Sequence, residues 1–476
     1  MRVQLVGQSY DAQSFAGDSE RSINCLVEQL PQEGASPNML IPSPGIKSFG
    51  TAGNGTLGER GTWKMAGVMY VVYANSLYSV ASTGVTTRIG EIPGSERVVM
   101  FDNGTQLIIV ADTLTHFFSV RTSTFGTITH PSFLPSSSGA YLAGYFLFSA
   151  TDSNRIFFIG PYDDTTGEVD LNNFDATDSF LAFTTPGDVV RIFSDQKELW
   201  IFKEDASEVW QPVANVNLPF AQLDGATTTR GILTKHAINK NDNTIIWVSN
   251  DFKTYVASGY IPKPVSTTAM AFDVLNYADS SDAYIYTWDE GAHKLVGVWF
   301  RTEGVTWVFD FSTGLWHERA SQDLASGKEY WRASSVIRCY GKTLVGDSEG
   351  PDIGELDFDT FTEYGTPMKM IRVGQTFHSE GTQFSLDRVQ VLCEAGVGTT
   401  SGAGSDPKII LELSKDYGQT YGNQKTRSIG KKGEYRQRSV WRQQGLFRRC
   451  TPRITISDPV RRYVLDMYVE LTPRAI

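Results

Sequence analysis

The sequence predicts an all-β chain: a β-propeller of about six blades, preceded by an extended N-terminal arm and followed by an antiparallel β-sandwich. Three observations predict it. First, between about Tyr70 and Asp357 one signal keeps returning: an aromatic or β-branched burst of five to eight residues, a Gly/Asn/Asp/Ser turn, and a second burst. It reads MYVVYANSLYSV (69–80), QLIIVADTLTHFFSV (106–120), YFLFSATDSNRIFFIG (145–160) and ELWIFKEDASEVWQ (198–211), then recurs at 244–259, 294–316 and, more weakly, 342–357. The markers Tyr70, Leu107, Phe146, Leu199, Ile246, Trp299 and Leu344 are 37, 39, 53, 47, 53 and 45 residues apart. Repeats of ~40–50 residues with several strands each suit one small sheet per repeat around a common axis. Six blades are preferred, with five and seven also compatible. Second, the 44 Gly serve hairpin turns that need positive φ, and 27 Phe, 20 Tyr and 10 Trp supply bulk to bury between sheets. Third, near 360–367 the blade signal stops and plain two-residue alternation takes over.

The elements follow in order. Residues 1–60 read as an arm, because Pro31, Pro37, Pro42 and Pro44 exclude a helix or a central strand between 22 and 50. The arm is expected to lie extended across the body and to complete the first or last blade. Residues 61–362 form the propeller, with the Ser/Pro stretch HPSFLPSSSGA (130–140) as a connector between blades. Residues 363–476 form a sandwich of five or six strands. In KIILELS, Ile409, Leu411 and Leu413 face one way and Ile410 and Glu412 the other, while GVGTTSGAGSDP (396–407) is a loop tip.

Charge is unevenly spread. The formal net charge is −11, yet residues 421–476 hold 13 Lys/Arg against four acids, so this segment carries +9 and residues 1–420 carry −20. An acidic body and a basic end suit head-to-tail or ring association, with the basic module of one copy meeting an acidic neighbour. A basic strand face that only meets water is the competing reading. Non-specific gripping of DNA by the acidic body is disfavoured, since neutralising phosphates needs a basic surface. No stretch approaches the ~18–20 apolar residues of a membrane helix, so no membrane anchor is expected. The start MRVQLVGQSYDAQSF lacks the apolar region of a secretion signal. Cys25, Cys339, Cys393 and Cys450 are scattered without CxxC spacing, as expected of reduced thiols in a protein made in a cytoplasm.

No motif points to catalysis. SKDYGQTYG (414–422) matches the Asp-box pattern S-x-D-x-G-x-T-[WY]: Asp416 can bond turn amides to Ser414's loop, Gly418 supplies backbone freedom, and Tyr421 packs under the hairpin. The pattern occurs in sialidases and other propellers, but here once and in the terminal module, which favours a rigid turn. A glycosidase needs two carboxylates across a pocket, and no spacing singles out Asp163/Asp164 or Asp289/Glu290. Tyr340–Gly341–Lys342–Thr343 lacks the upstream glycine of a phosphate loop. The six histidines are isolated and no GxSxG elbow appears. No catalytic, cofactor-binding or metal-binding residue is therefore assigned, and no cofactor is expected. Trp200, Trp210, Trp299, Trp307, Trp316 and Trp331 suit either a stacking platform for sugars or bases or, at strand spacing, the core between sheets.

The two ends carry a resemblance. SINCLVE…PSPGIKSFG (22–50), the Gly-rich first blade GTLGERGTWKMAGVMYVVYANSLYSV (55–80), ELWIFKEDASEVW (198–210) and LELSKDYGQTYG…RSVWRQQGLFRR (411–449) resemble the packaged-DNA stabilisation, or tail-hub, proteins of short-tailed bacteriophages. The resemblance implies a non-enzymatic virion component that forms a ring, six copies being expected, below the portal and adaptor rings. It would extend and help close the DNA channel, pass DNA without sequence-specific binding, and offer surfaces to the tail needle and to tailspikes or fibres. Arg436, Arg438, Arg442, Arg448 and Arg449 are then the candidates for an assembly interface. A glycan-binding or glycan-hydrolysing propeller, suggested by the Asp-box and the tryptophans, is the alternative.

Overall fold

The computed structural model describes all residues except 31–35, 54–56, 113, 176, 216, 242, 323, 325 and 475–476; Pro31 of the arm lies outside the described residues. The bursts of the sequence become the second strands of successive four-stranded antiparallel sheets: Val68–Tyr73, Gln106–Ala111, Tyr145–Ala150, Glu198–Lys203, Thr244–Val248, His293–Phe300 and Lys342–Asp347. Each is buried along most of its length, because another blade packs on either face. A strand covered on both sides reads as a continuous apolar run rather than an alternating one.

Among the described residues there are seven blades, one more than the preferred six; five are separate four-stranded sheets, and the sixth and seventh belong to larger sheets. Blades 1 to 6 span 59–91, 99–127, 136–181, 189–228, 238–264 and 284–318. Blade 7 has only three strands that are consecutive in sequence, Ala333–Cys339, Lys342–Asp347 and Asp352–Asp357. Its fourth is Gly45–Thr51 from the arm, antiparallel to Asp352–Asp357 with Ile46 opposite Leu356. The weakest burst is thus a full blade whose outer strand lies some 300 residues away. The ring closes again at the axis, where Ala333–Cys339 lies beside Glu59–Met65. There Ser334 Oγ donates to Glu59 Oε2 at 2.5 Å and Ser335 Oγ meets Thr62 Oγ1 at 3.1 Å. At the rim the seam is close-fitting: a Cβ on Gly50 would lie 2.3 Å from the carbonyl oxygen of Gly84 in blade 1.

Aromatic and branched side chains fill the spaces between blades. Tyr70, Val72 and Leu77 of blade 1 meet Leu107 and Ile109 of blade 2, and Phe101 of blade 2 meets Phe146 and Phe148 of blade 3. All six of the paired tryptophans are buried in such cores. Among the described residues, three of the inner hairpins turn on two residues with positive φ: Ala66–Gly67 (50° and 79°), Ala143–Gly144 (52° and 91°) and Tyr340–Gly341 (55° and 72°). That geometry matches strand twist. The Gly-Lys-Thr of the sequence is this turn and the strand leaving it.

The sandwich has more strands than the five or six expected, because the arm joins it. One sheet runs Cys25–Gln29, Asn38–Pro42, Val464–Pro473, Phe384–Cys393, Ser439–Phe447, with Arg2–Val3 added to Val464–Pro473. The other runs Ser19–Ile23, Met370–Val373, Arg449–Ile456, Lys408–Ser414, Lys425–Ser428. Ile409, Leu411 and Leu413 enter the core beside Val389, Trp441, Ile454 and Met467. Glu412 points the other way and takes both ends of Arg453 at 2.9 Å.

Propeller and sandwich are one continuous structure. Ser19–Ile23 pairs in parallel with Leu315–Glu318, the outer strand of blade 6, so that the second sandwich sheet continues into that blade. Asn24 locks the junction. Fully buried and at φ 56°, it donates from Nδ2 to the carbonyls of Ala320 and Lys369 (both 2.8 Å) and accepts from the Ala320 amide (3.1 Å). Asparagine is among the few side chains that tolerate this backbone region. Beside it the fully buried Arg372 donates to the carbonyl of Gln8 and to Ser22 Oγ (both 3.0 Å) and pairs with Glu20. A short helix, Thr268–Asn276, capped by Thr267 through the Met270 amide, lies between blades 5 and 6.

Candidate functional site

Of the basic residues chosen from sequence, Arg436, Arg438 and Arg442 sit along one free edge of the sandwich, and Arg448 and Arg449 follow where the chain crosses to the other sheet. Ser439–Phe447 is the last strand of its sheet, and Arg442 lies on it with its side chain exposed. Arg436 and Arg438 precede this strand and are exposed; Arg448 is exposed at the corner where the chain crosses to the other sheet. Arg449, half-buried, lies 4.4 Å over the ring of Tyr417. A strand of nine residues is roughly 30 Å long, so the five arginines form a stripe rather than a cluster.

Convergence does occur at one point, and it includes a residue that charge counting missed. Arg388 stands directly opposite Arg442 on the neighbouring strand, and Arg438 and Arg388 both donate to Gln390 Oε1. Arg388 also pairs with Glu470 at 2.6 Å, and Tyr468, opposite Gln390, is exposed beside them. The signal was present in FSLDRVQVLC: Leu386, Val389 and Val391 enter the core, and a bulge between Leu386 and Arg388 puts Arg388 and Gln390 outward. The edge is also blunted. Gln443 (φ 54°) and Gly445 (φ 106°) distort the strand, and Arg427 Nε, Trp441 Nε1 and Lys425 Nζ tie it to the strand Lys425–Ser428 across the sandwich. Charges and bulges on an edge discourage indiscriminate strand pairing while leaving side chains free for a specific partner.

The turn at 414–421 is hydrogen-bonded throughout. Ser414 Oγ accepts from the Gly418 amide at 2.9 Å and donates to Asp416 Oδ1 at 2.6 Å, and Asp416 Oδ1 accepts from the Thr420 amide at 2.8 Å. Tyr417 and Gly418 both take positive φ, 63° and 91°. The ring of Tyr421 lies 3.8 Å beneath the Arg453 guanidinium. The bonds from Ser414 and Thr420 hold the Asp416 carboxyl at about 2, below the usual carboxylate range. A carboxyl depressed in the folded state adds stability above its unfolded value that is lost as pH falls through the folded one. Thermal melts of the protein and of Asp416→Asn are therefore expected to differ most above about pH 4 and to converge towards pH 2. A gap independent of pH would show that the carboxylate charge plays no part in the turn.

Neither carboxylate pair forms a catalytic couple. Asp163 accepts the Thr165 amide in its own turn. Asp289 is exposed while Glu290 is buried, bonded to Trp288 Nε1 at 2.9 Å and paired with Arg319. Among the described residues no group of His, Cys, Asp and Glu is placed to hold a metal ion. Among the described residues no helix is long and apolar enough to cross a membrane.

A seven-bladed ring sharing strands with a sandwich, and presenting charged edges, defines a scaffold protein of propeller-plus-sandwich build. Residues 5–361 match the family model described as the bacteriophage P22 Gp10 β-propeller, and residues 369–472 match that of the Gp10 β-sandwich. The chain belongs to the bacteriophage P22 Gp10 family and is a structural component of a phage tail, carried in the virion. No curated protein sequence matches it. Solved structures similar to it include a computationally designed protein, Ika8 (10% identity, 65% of this chain, 100% of that one, TM-score 0.37). Others are a chain of the mitotic checkpoint complex (11%, 69% and 96%, 0.40) and Raptor from Chaetomium thermophilum (12%, 66% and 30%, 0.42). At these scores the likeness adds nothing to the assignment.

Proposed function

We propose that this protein docks as a ring, six copies being expected, below the portal–adaptor complex of a short-tailed phage. There it extends the DNA channel, helps retain the packaged genome, and offers surfaces to the tail needle and to tailspikes or fibres. The observation that supports this reading best is the exposed arginine stripe on a free sandwich edge, set against a body that carries −20 over residues 1–420. The edge of one copy would meet an acidic neighbour, and the turn at Ser414, Asp416, Gly418 and Tyr421 would hold Arg449 and Arg453 in place beside it. An acidic channel wall would repel phosphate and let DNA slide. A ring closed twice, at the axis and at the rim, also suits a particle that must survive outside a cell. The test is electron microscopy and native mass spectrometry of the purified protein mixed with portal and adaptor rings. A ring of defined copy number on the portal–adaptor complex is expected; subunits that stay free in that mixture would overturn the reading.

A further inference from the structure

The propeller axis holds a cavity of about 300 Å³, walled by residues from six of the seven blades. The wall is basic: Arg97 precedes the inner strand of blade 2, Arg191 lies on that of blade 4, and Lys235 and His236 precede that of blade 5. Arg97 is already engaged. Its guanidinium lies 3.6 Å over the Tyr284 ring, donates to the Ser334 carbonyl at 3.0 Å, and is 3.7 Å from Glu59. Glu59 is engaged too, since it accepts from Thr62 at 3.0 Å and from Ser334.

Arg191 is different. Its Nε and Nη1 are buried without a hydrogen-bond partner, and among the described residues neither it nor Lys235 has a carboxylate within ion-pair distance. Burial pushes the Arg191 guanidinium down to about 10, and burial also lowers Lys235, with Asp112 opposing, Arg191 lowering it further and Glu96 opposing. Burial and the charges of Arg97, Lys235 and Arg191 push the His236 imidazole well below its usual range. A buried charge left unpaired is costly, and natural proteins normally pair it. A guanidinium with unbonded N–H groups in the wall of a small basic cavity matches the chemistry of an oxyanion.

We propose that the axial cavity is a binding site for a free polyvalent oxyanion of phosphate size, held by Arg191 and Lys235 with Arg97 behind them. The probe is inorganic phosphate, titrated calorimetrically into the full-length protein in a chloride buffer of matched ionic strength. A hexaglutamate peptide is titrated in parallel to separate a free oxyanion from carboxylates carried by a partner. Saturable one-site phosphate binding is expected, weakened at least about tenfold in Arg191→Met. Without phosphate, that variant should melt no lower than the parent, because an uncompensated buried charge has been removed. Lys235→Met, which alters a partly exposed side chain, should also weaken phosphate binding. Phosphate heats no larger than those of the chloride control, equal affinity in parent and both variants, or binding of the peptide alone would each overturn the proposal.

Discussion

A protein in which Arg436, Arg438, Arg442, Arg448 and Arg449 are all replaced by glutamate is expected to fold normally and to fail in docking. Four of these side chains are exposed and none is buried, so far-UV spectra and melting should be little changed. The electrostatic effect is large. Segment 421–476 falls from +9 to −1, and an edge that attracted an acidic body now repels it. Single exposed ion pairs contribute only ~0.2–1 kcal/mol, but five reversals in register replace attraction by like-charge contact, which costs several kcal/mol in total. Docking on the portal–adaptor complex should weaken by about 100-fold or more. The parent should show a milder version of the same loss as salt is raised, since the screening length is only ~10 Å at 0.1 M. Sedimentation with the portal–adaptor complex at two salt concentrations reads both effects. Assembly undiminished in the variant and insensitive to salt would mean that the stripe only meets water. Omitting Arg449 from the set separates charge from local packing, because Arg449 alone stacks on Tyr417.

The propeller was legible because each blade contributes a second strand covered on both faces. Such a strand can be read locally: Leu107–Ile108–Ile109–Val110 or Phe146–Leu147–Phe148 needs no knowledge of its neighbours. The alternation of Ile409, Leu411 and Leu413 was legible for the complementary reason, one face in the core and one in water. Non-local pairing was not. Arg2–Val3 pairs with Met467 and Tyr468, and Gly45–Thr51 with Asp352–Asp357; nothing in either short segment names a partner hundreds of residues away. The arm completes the last blade, as expected, but it also supplies strands to the sandwich, and a seventh blade emerges where six were preferred. At the candidate site, charge counting found the exposed arginines but not Arg388, whose placement depends on a bulge. It also counted Arg453 and Arg462 with the rest, although the first is paired with Glu412 and the second is buried against the Met368 carbonyl. The axial arginines and lysine were invisible for a related reason. They come from three blades and approach only when the ring closes.

Ile46→Ala is expected to destabilise the protein by about 2–5 kcal/mol and to open it first at the rim of blade 7. Ile46 is the anchor of the closing strand: it is 1% exposed and packs among Leu26, Tyr286, Trp288, Trp331 and Val345, bringing arm, blade 6 and blade 7 together. Its carbonyl accepts the Tyr364 amide at 2.9 Å, so the same residue also fixes the chain as it leaves the propeller. Within blades 1 to 6 every neighbouring pair of strands is consecutive in sequence, so a loosened strand remains tethered beside its partner. At Gly45–Thr51 no short connection to Asp352–Asp357 exists, and only side-chain packing and the ladder hold the pair. Loss of packing there should favour local opening over global unfolding. Hydrogen exchange should then accelerate at the amides of 352–357 and 45–51 before the rest of the ring. Leu147→Ala supplies the comparison, since Leu147 is equally buried in blade 3, far from the seam, and should cost a similar amount. It is expected to leave exchange at 352–357 close to that of the parent. Equal acceleration at 352–357 in both variants would show that the ring unfolds as one unit and that the arm strand is no weaker than a hairpin-linked one.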